Sequence, residues 1–171
     1  MMPSSFVDSV PSVMKTIINL DPLAVLDIGP GWGKYGLMCR EYLTDLQLLD
    51  AVEVSQGRIY TQDCIYDNII ESDIRRADVH WSKYDLVIFI DVIEHMEKVE
   101  GQKILKDIVS AGTSVLVSTP KLWMEQHDEL NPFEEHISHW TWEDFWCPGM
   151  PEVDKIDDST IDSIIITLVP R

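Results

Sequence analysis

The stretch "VLDIGPGWGKYG", Val25 to Gly36, decides the fold. An apolar run ends in an acid, Asp27, and opens at once into Gly29, Gly31, Gly33 and Gly36. This is the pattern of a buried strand that runs into a tight turn and then a helix, since glycine lets the backbone take positive φ and approach a ligand closely. Free N–H groups at the start of the helix favour an anionic group. A G-x-G-x-x-G spacing counted from Gly29 fails at Lys34, and a Walker loop fails at Tyr35, where Ser or Thr is required. Asp27 sharpens the choice of ligand. Like charges about 4 Å apart repel by roughly 1–4 kcal/mol at surface-to-intermediate dielectric, which disfavours a pyrophosphate and favours a cationic ligand.

Working outward, short and nearly continuous apolar runs read as strands buried on both faces: "LAVLDI" (23–28), "LDAVEV" (49–54), "NIIES" (68–72), "YDLVIFI" (84–90) and "TSVLVS" (113–118). Helical spacing separates them. Tyr35, Met38, Cys39, Tyr42 and Leu43 form one apolar face; Ile104, Leu105, Ile108 and Val109 form another, which stops at Gly112. Residues 1–20 hold an N-terminal helix with Val10, Val13, Met14, Ile17 and Ile18 on one side and Pro11 in its first turn. Alternating strand and helix predict parallel strands joined by right-handed crossovers. Near the C-terminus, Glu152–Asp157 and Ile161–Val169 are separated by "DST" alone, which predicts an antiparallel hairpin and one reversed strand.

The 171 residues suit a single domain, 1–171, with a core of its own. Thirteen Lys and Arg against 30 Asp and Glu give a formal charge of −17, which disfavours nucleic acid held through its phosphates. Cys39, Cys64 and Cys147 are odd in number and lack C-x-x-C spacing, so neither a disulfide framework nor a zinc site is indicated, and a reducing cytoplasm is the expected location. The longest apolar run, "LVIFI", is too short to span a bilayer, and the first ten residues lack the pattern of a leader. No membrane partner is expected.

Acids recur at successive strand ends. Glu53 ends the second strand about twenty residues past the glycines, where an acid bonds the two hydroxyls of a ribose. Asp73 follows the third strand, placed to accept from an exocyclic amine, with Ile74 beside it to cover a base. With these positions in view, "VLDIGPGWG", "AVEVS", "ESDI", "YDLVIFIDVIEHM" and "LVSTP" resemble the successive motifs of the class I S-adenosylmethionine-dependent methyltransferases, from about Leu23 to Pro120. The resemblance implies an α/β, Rossmann-like, mostly parallel seven-stranded sheet with one antiparallel strand near the C-terminus and helices on both faces. It also implies S-adenosyl-L-methionine as cofactor: Asp27, Gly29, Pro30, Gly31 and Gly33 around its methionine part, Glu53 and Val54 at the ribose, Asp73 and Ile74 at the adenine, and Asp91 and Val92 along its inner side. The net positive charge of that cofactor explains an acid beside the glycines.

Methyl transfer to a hydroxyl or amine gains from a general base, and His is the side chain matched to neutral pH. His95, His136 and His139 are the candidates. The last two lie in residues 119–140, a stretch without clear periodicity that is expected to be an ordered lid over a small-molecule acceptor. A metal held by His136 and His139 with Glu134, Glu135, Asp128 and His127 is the less favoured reading, for want of a helical scaffold, so no metal is expected. At least half of Trp123, Trp140, Trp142 and Trp146 are expected to pack in the core. Two other functions stay open: a non-catalytic methyltransferase-like binding or partner domain, and a nicotinamide-dependent oxidoreductase, which Asp27 opposes.

Overall fold

The computed structural model describes residues 5–55, 64–126 and 131–171. Residues 1–4 of the expected N-terminal helical stretch, and His127 and Asp128 of the expected lid, lie outside the described residues. In chain order the elements are α1 (Ser9–Leu20), β1 (Ala24–Ile28), α2 (Lys34–Tyr42), β2 (Leu48–Glu53), β3 (Asn68–Glu71), β4 (Leu86–Ile90), α3 (Lys98–Ser110), β5 (Ser114–Pro120), β6 (Val153–Asp157) and β7 (Ser163–Pro170). Short 3-10 turns cover Ile93–His95, Pro132–Glu134 and Trp142–Phe145.

The strands form one seven-stranded sheet in the order β3-β2-β1-β4-β5-β7-β6. Pairings among β1 to β5 are parallel, and β7 runs antiparallel to both β5 and β6. One strand is reversed, as the sequence predicts. The chain first winds outward through β2 and β3, then returns to place β4 on the other side of β1. A crevice therefore opens between the carboxyl ends of β1 and β4, the place where open parallel sheets bind ligands.

Both sheet faces are covered by helices. On one face Val13, Met14 and Ile17 of α1 and Tyr35 and Cys39 of α2 pack against Val25, Leu49, Ile88 and Leu116. Ile18, expected on that apolar face, is 41% exposed, because the helical turn carries it past the edge of the stripe. On the other face Ile104, Leu105, Ile108 and Val109 of α3 meet Leu26, Val87, Val115 and Ile166. A capping box between Glu97 and Glu100 starts α3. It satisfies backbone donors that the first helical turn leaves free.

The C-terminal hairpin is tied to the beginning of the chain. Ser9 Oγ donates to Ser163 Oγ at 2.7 Å and Thr16 Oγ1 to Asp158 Oδ2 at 2.6 Å, so α1 and the β6–β7 turn hold each other. Trp140 and Phe145 are fully buried with ring centroids 5.2 Å apart. Trp123, Trp142 and Trp146 are 50%, 37% and 53% exposed, which corrects the expectation that at least half of the four would be core. A single 3-10 turn presents only one side inward, and Phe145 takes it. Among the described residues no helix is long and apolar enough to cross a membrane.

Gly101 of α3 lies against this aromatic pair. A Cβ there would stand 2.7 Å from the buried Trp140 ring and 3.0 Å from Ile93. Alanine gains about 1 kcal/mol of helix propensity over glycine. Overpacking a rigid, buried ring costs about 1–3 kcal/mol. Gly101→Ala is therefore expected to lower the free energy of unfolding, measured by urea denaturation, where propensity alone would raise it.

Candidate functional site

A cavity of about 440 Å³ fills the crevice at the carboxyl ends of the strands. That is within the size range of small-molecule sites. Asp27, Gly29, Pro30 and Gly31 line it from β1 and its turn, Glu53 and Val54 from β2, Asp73 and Ile74 after β3, and Asp91 and Val92 after β4. Gly29 takes φ 62 and Gly31 φ 60, and a Cβ on Gly29 would stand 2.7 Å from Val92, so this turn passes close under the β4 end only without a side chain. Gly31 has nothing within 4 Å of where its Cβ would be and faces open space. Gly33 is placed differently from the expectation. It caps α2 at φ 78, does not line the cavity, and packs against Ile65 on its far side.

The acids of this crevice differ in what holds them. Asp27 is 2% exposed; burial pushes its carboxyl up to about 7, a bond from Tyr66 opposes that rise and Glu53 adds to it. The bond runs from the Tyr66 hydroxyl to Asp27 Oδ2 at 2.7 Å. Glu53, also buried, accepts the Ser55 amide at 2.8 Å. Asp73 is expected to receive an exocyclic amine, yet its oxygens are engaged by the side chain and amide of Arg75. The Arg75 guanidinium holds Asp73 below the usual carboxylate range and also reaches Glu100 at 3.5 Å. An adenine amine at that carboxylate has to share it with Arg75.

A second group of ligating side chains closes the other end of the cavity. One donor atom each of Glu94, His95 and His136 lies within 4.8 Å of the others. Glu94 is 3% exposed, and its carboxylate is buried with only its own backbone and the Thr119 hydroxyl to oppose the cost of charging it. Burial holds its pKa well above the ordinary value, with Asp91 adding to the rise. Buried Asp50 makes the contrast plain. Burial would raise that carboxyl too, but Lys83, Asn68 and Tyr84 bond to it and hold it below the usual range. Glu94 has no such cation.

The two histidines are oriented as metal ligands are. His95 Nδ1 lies 2.9 Å from the Glu135 carbonyl and His136 Nδ1 lies 2.8 Å from the Met124 carbonyl. A carbonyl requires a proton on the nitrogen facing it, which leaves Nε2 as the nitrogen of each ring that can offer a lone pair to a ligand. Burial lowers the His95 pKa, which favours the neutral ring. The missing scaffold is supplied by two short segments. Ile137 and Ser138 donate their amides to the Glu94 carbonyl, fixing the 131–140 segment against the turn after β4. The expectation of no metal therefore meets a carboxylate and two imidazoles that could hold a divalent cation. His139 is not part of this group: its Nε2 meets the Lys121 carbonyl at 2.9 Å, its ring packs edge-on to Trp123, and it does not line the cavity.

Several positions in and beside the cavity were not singled out by sequence reasoning. Glu94 stands next to His95 in "EHM", and the adjacency of a carboxylate and an imidazole was the available signal. Tyr66 gave none. From the stretch expected to be a lid, Met124, Gln126, Asn131, Phe133 and Glu134 line the cavity, and Gln126 Nε2 donates to the Glu134 carbonyl at 2.9 Å. Asp91 takes φ 54, a left-handed conformation rare outside glycine, and accepts from Ser118 Oγ at 2.8 Å.

No protein-family model matches the chain, and no curated protein matches its sequence. Solved structures match its fold. The small RNA methyltransferase HEN1 superimposes with a TM-score of 0.73 at 17% identity, over 100% of this chain and 26% of that one. The methyltransferase domain of a bacterial CtHen1 gives 0.65 at 18% identity over 94% and 97% of the two chains. Human N-acetylserotonin methyltransferase, solved in complex with SAM, gives 0.65 at 14% identity over 94% and 51%. The chain has the class I S-adenosylmethionine-dependent methyltransferase fold.

A cation that binds only the folded protein at a hundred times its dissociation constant adds about 2.7 kcal/mol of stability. Manganese is expected to raise the melting temperature of the metal-free protein and to leave Glu94→Gln and His136→Ala unshifted. Equal shifts in all three proteins would place the cation elsewhere.

Proposed function

We propose that this protein transfers a methyl group from S-adenosyl-L-methionine to a hydroxyl of a small acceptor, with a divalent cation at Glu94, His95 and His136 beside the acceptor. One observation carries the reading. A single cavity is lined at one end by Asp27, the glycine turn and Glu53, and at the other by the carboxylate and two imidazoles.

The residues at the first end suit the cofactor. Gly31 offers an open cradle, and Asp27 and Glu53 place two acids against a ligand with net positive charge. When bound, the cofactor supplies a methyl group on a sulfonium, with a neutral thioether as leaving group. What the protein then has to do is align the acceptor in line and exclude water. Ile74 and Val92 are apolar walls for the nucleoside, and Met124 and Phe133 reach across from the 121–126 and 131–140 segments to cover the acceptor end. Glu94, His95 and His136 would hold a divalent cation at the second end, and such an ion would supply Lewis-acid chemistry, lowering the pKa of a neighbouring hydroxyl. His95 and His136 then act through Nε2 as ligands rather than as general bases, and His139 braces the loop.

A second acceptor class has a specific observation behind it, the likeness over the whole chain to a protein named as a small RNA methyltransferase. The formal charge of −17 opposes a strand held along its phosphates, so on this reading only a terminal nucleoside enters the cavity. The remaining alternative, a binding domain without turnover, predicts cofactor affinity and no transfer.

Titration calorimetry with S-adenosylhomocysteine is expected to show binding, and Glu53→Ala is expected to weaken it by about 1–3 kcal/mol through unpaired ribose hydroxyls. Tritiated methyl transfer to a panel of hydroxylated small molecules and, in parallel, to short RNA oligonucleotides then separates the readings. Label in the first panel supports the proposal and label in the second supports the RNA acceptor. Binding without label in either leaves the non-catalytic domain.

A further inference from the structure

The cofactor reading leaves unexplained why an acid at the wall of the crevice is met by a tyrosine from a different part of the chain. Tyr66 lies after β2 and just before β3, is 5% exposed, and donates its hydroxyl to Asp27 Oδ2 at 2.7 Å. Room for it is made by α2. A Cβ on Gly36 would collide with the Tyr66 hydroxyl and ring, and one on Gly33 would stand 2.6 Å from Ile65, so two glycines three residues apart form the slot that seats Ile65 and Tyr66. Arg40 closes the same slot from the next turn of the helix, with Nε on the Ile65 carbonyl at 2.9 Å and a guanidinium nitrogen 2.8 Å from Asp67. The glycine series therefore has two uses: Gly29 and Gly31 face the crevice, and Gly33 and Gly36 face Tyr66.

We propose that Tyr66 is a positioning residue for cofactor binding: its hydroxyl fixes one oxygen of Asp27, so that the other carboxylate oxygen meets the ammonium group of the amino-acid part of the ligand. This rests on the proposed function, since it assumes a ligand with an ammonium group in the crevice. The groups facing Asp27 explain why it needs the help. Glu53 approaches from β2, and Tyr35 and Cys39 from α2, with Asp91 at the β4 end interacting with Tyr35. Lys34 lines the cavity with its ammonium near the Tyr35 ring, 5.4 Å from the centroid. Most of these neighbours oppose a charge on Asp27, and burial opposes it further. A donated hydroxyl favours the ionised carboxylate over the neutral acid.

The sign of the pH dependence follows. Burial raises the Asp27 pKa to about 7, so the carboxylate is charged above that value and neutral below it. A neutral acid does not pair with an ammonium. Affinity for an ammonium-bearing ligand is present above about pH 7 and declines as the pH falls through it, and removal of the Tyr66 hydroxyl moves that decline to higher pH.

The test compares two ligands that share adenosine and a thioether, S-adenosylhomocysteine, which carries the ammonium, and methylthioadenosine, which lacks it. In the wild type both bind, and only the first shows the decline at acid pH. In Tyr66→Phe, S-adenosylhomocysteine is expected to bind roughly tenfold or more weakly at neutral pH, with its decline displaced upward, while methylthioadenosine binds as before. Asp27→Asn keeps an acceptor for Tyr66 but cannot ionise, and is expected to abolish the acid decline whether or not the phenylalanine variant folds. Equal loss of both ligands in Tyr66→Phe overturns the inference, since it shows a structural role for the ring. Unchanged binding of S-adenosylhomocysteine to Tyr66→Phe, or an acid decline that persists in Asp27→Asn, overturns it as well. A wild-type protein that binds neither ligand overturns the cofactor reading itself, and the inference with it.

Discussion

The close passage of Gly29 beneath Val92 is the constraint on which the rest depends. It occurs where strand order reverses, between β1 and β4, and it is possible because residue 29 has neither a side chain nor a restriction to negative φ. With the turn held down, the carboxyl ends of β1 to β5 open into one cavity, and the acids at or just past the first four of those ends line it together. Bring a side chain in at that point and either Val92 or the turn has to move, narrowing the space on which every later contact relies.

The cavity joins two different ways of handling buried charge. At one end Asp27 receives a hydroxyl and Asp73 a guanidinium, so each carboxylate is partnered within the protein. At the other, Glu94 is buried deeply without a paired Lys or Arg among the described residues, and one ring nitrogen of each of His95 and His136 lies within 4.8 Å of its carboxylate. Burying a carboxyl without a paired cation costs free energy that folding has to offset. The first end partners its acids with other side chains of the protein, and the second gathers a carboxylate and two imidazoles.

Much of the architecture was legible because it rests on short-range chemistry. Apolar runs, Gly112 and the "DST" spacing report local backbone preferences and burial, and each was read to within a few residues of the observed element. The lining of the crevice was legible where a residue's place follows from its own strand end, as for Asp27, Gly29 and Glu53. It was not legible where a side chain answers to a distant one. Arg75 takes up Asp73 by folding back two residues, Gly33 serves Ile65 instead of the cavity, and Tyr66 reaches an acid 39 positions earlier in the chain. His136 and His139 look alike in sequence. Only the path of the backbone past Glu94 turns one into the cavity and leaves the other on a carbonyl of Lys121.

The ties between α1 and the β6–β7 turn bear on how the chain comes together during synthesis. Ser9 waits for Ser163, a partner 154 residues later, and β5 lacks its outer neighbour until β7 has left the ribosome. Contacts of such separation are slow to form, and an uncovered strand edge invites pairing with another chain. The growing polypeptide thus carries an open sheet edge, and a first helix held by apolar packing but without its hydroxyl tie, until Ser163–Pro170 has emerged, and both are closed by the insertion of β7 between β5 and β6.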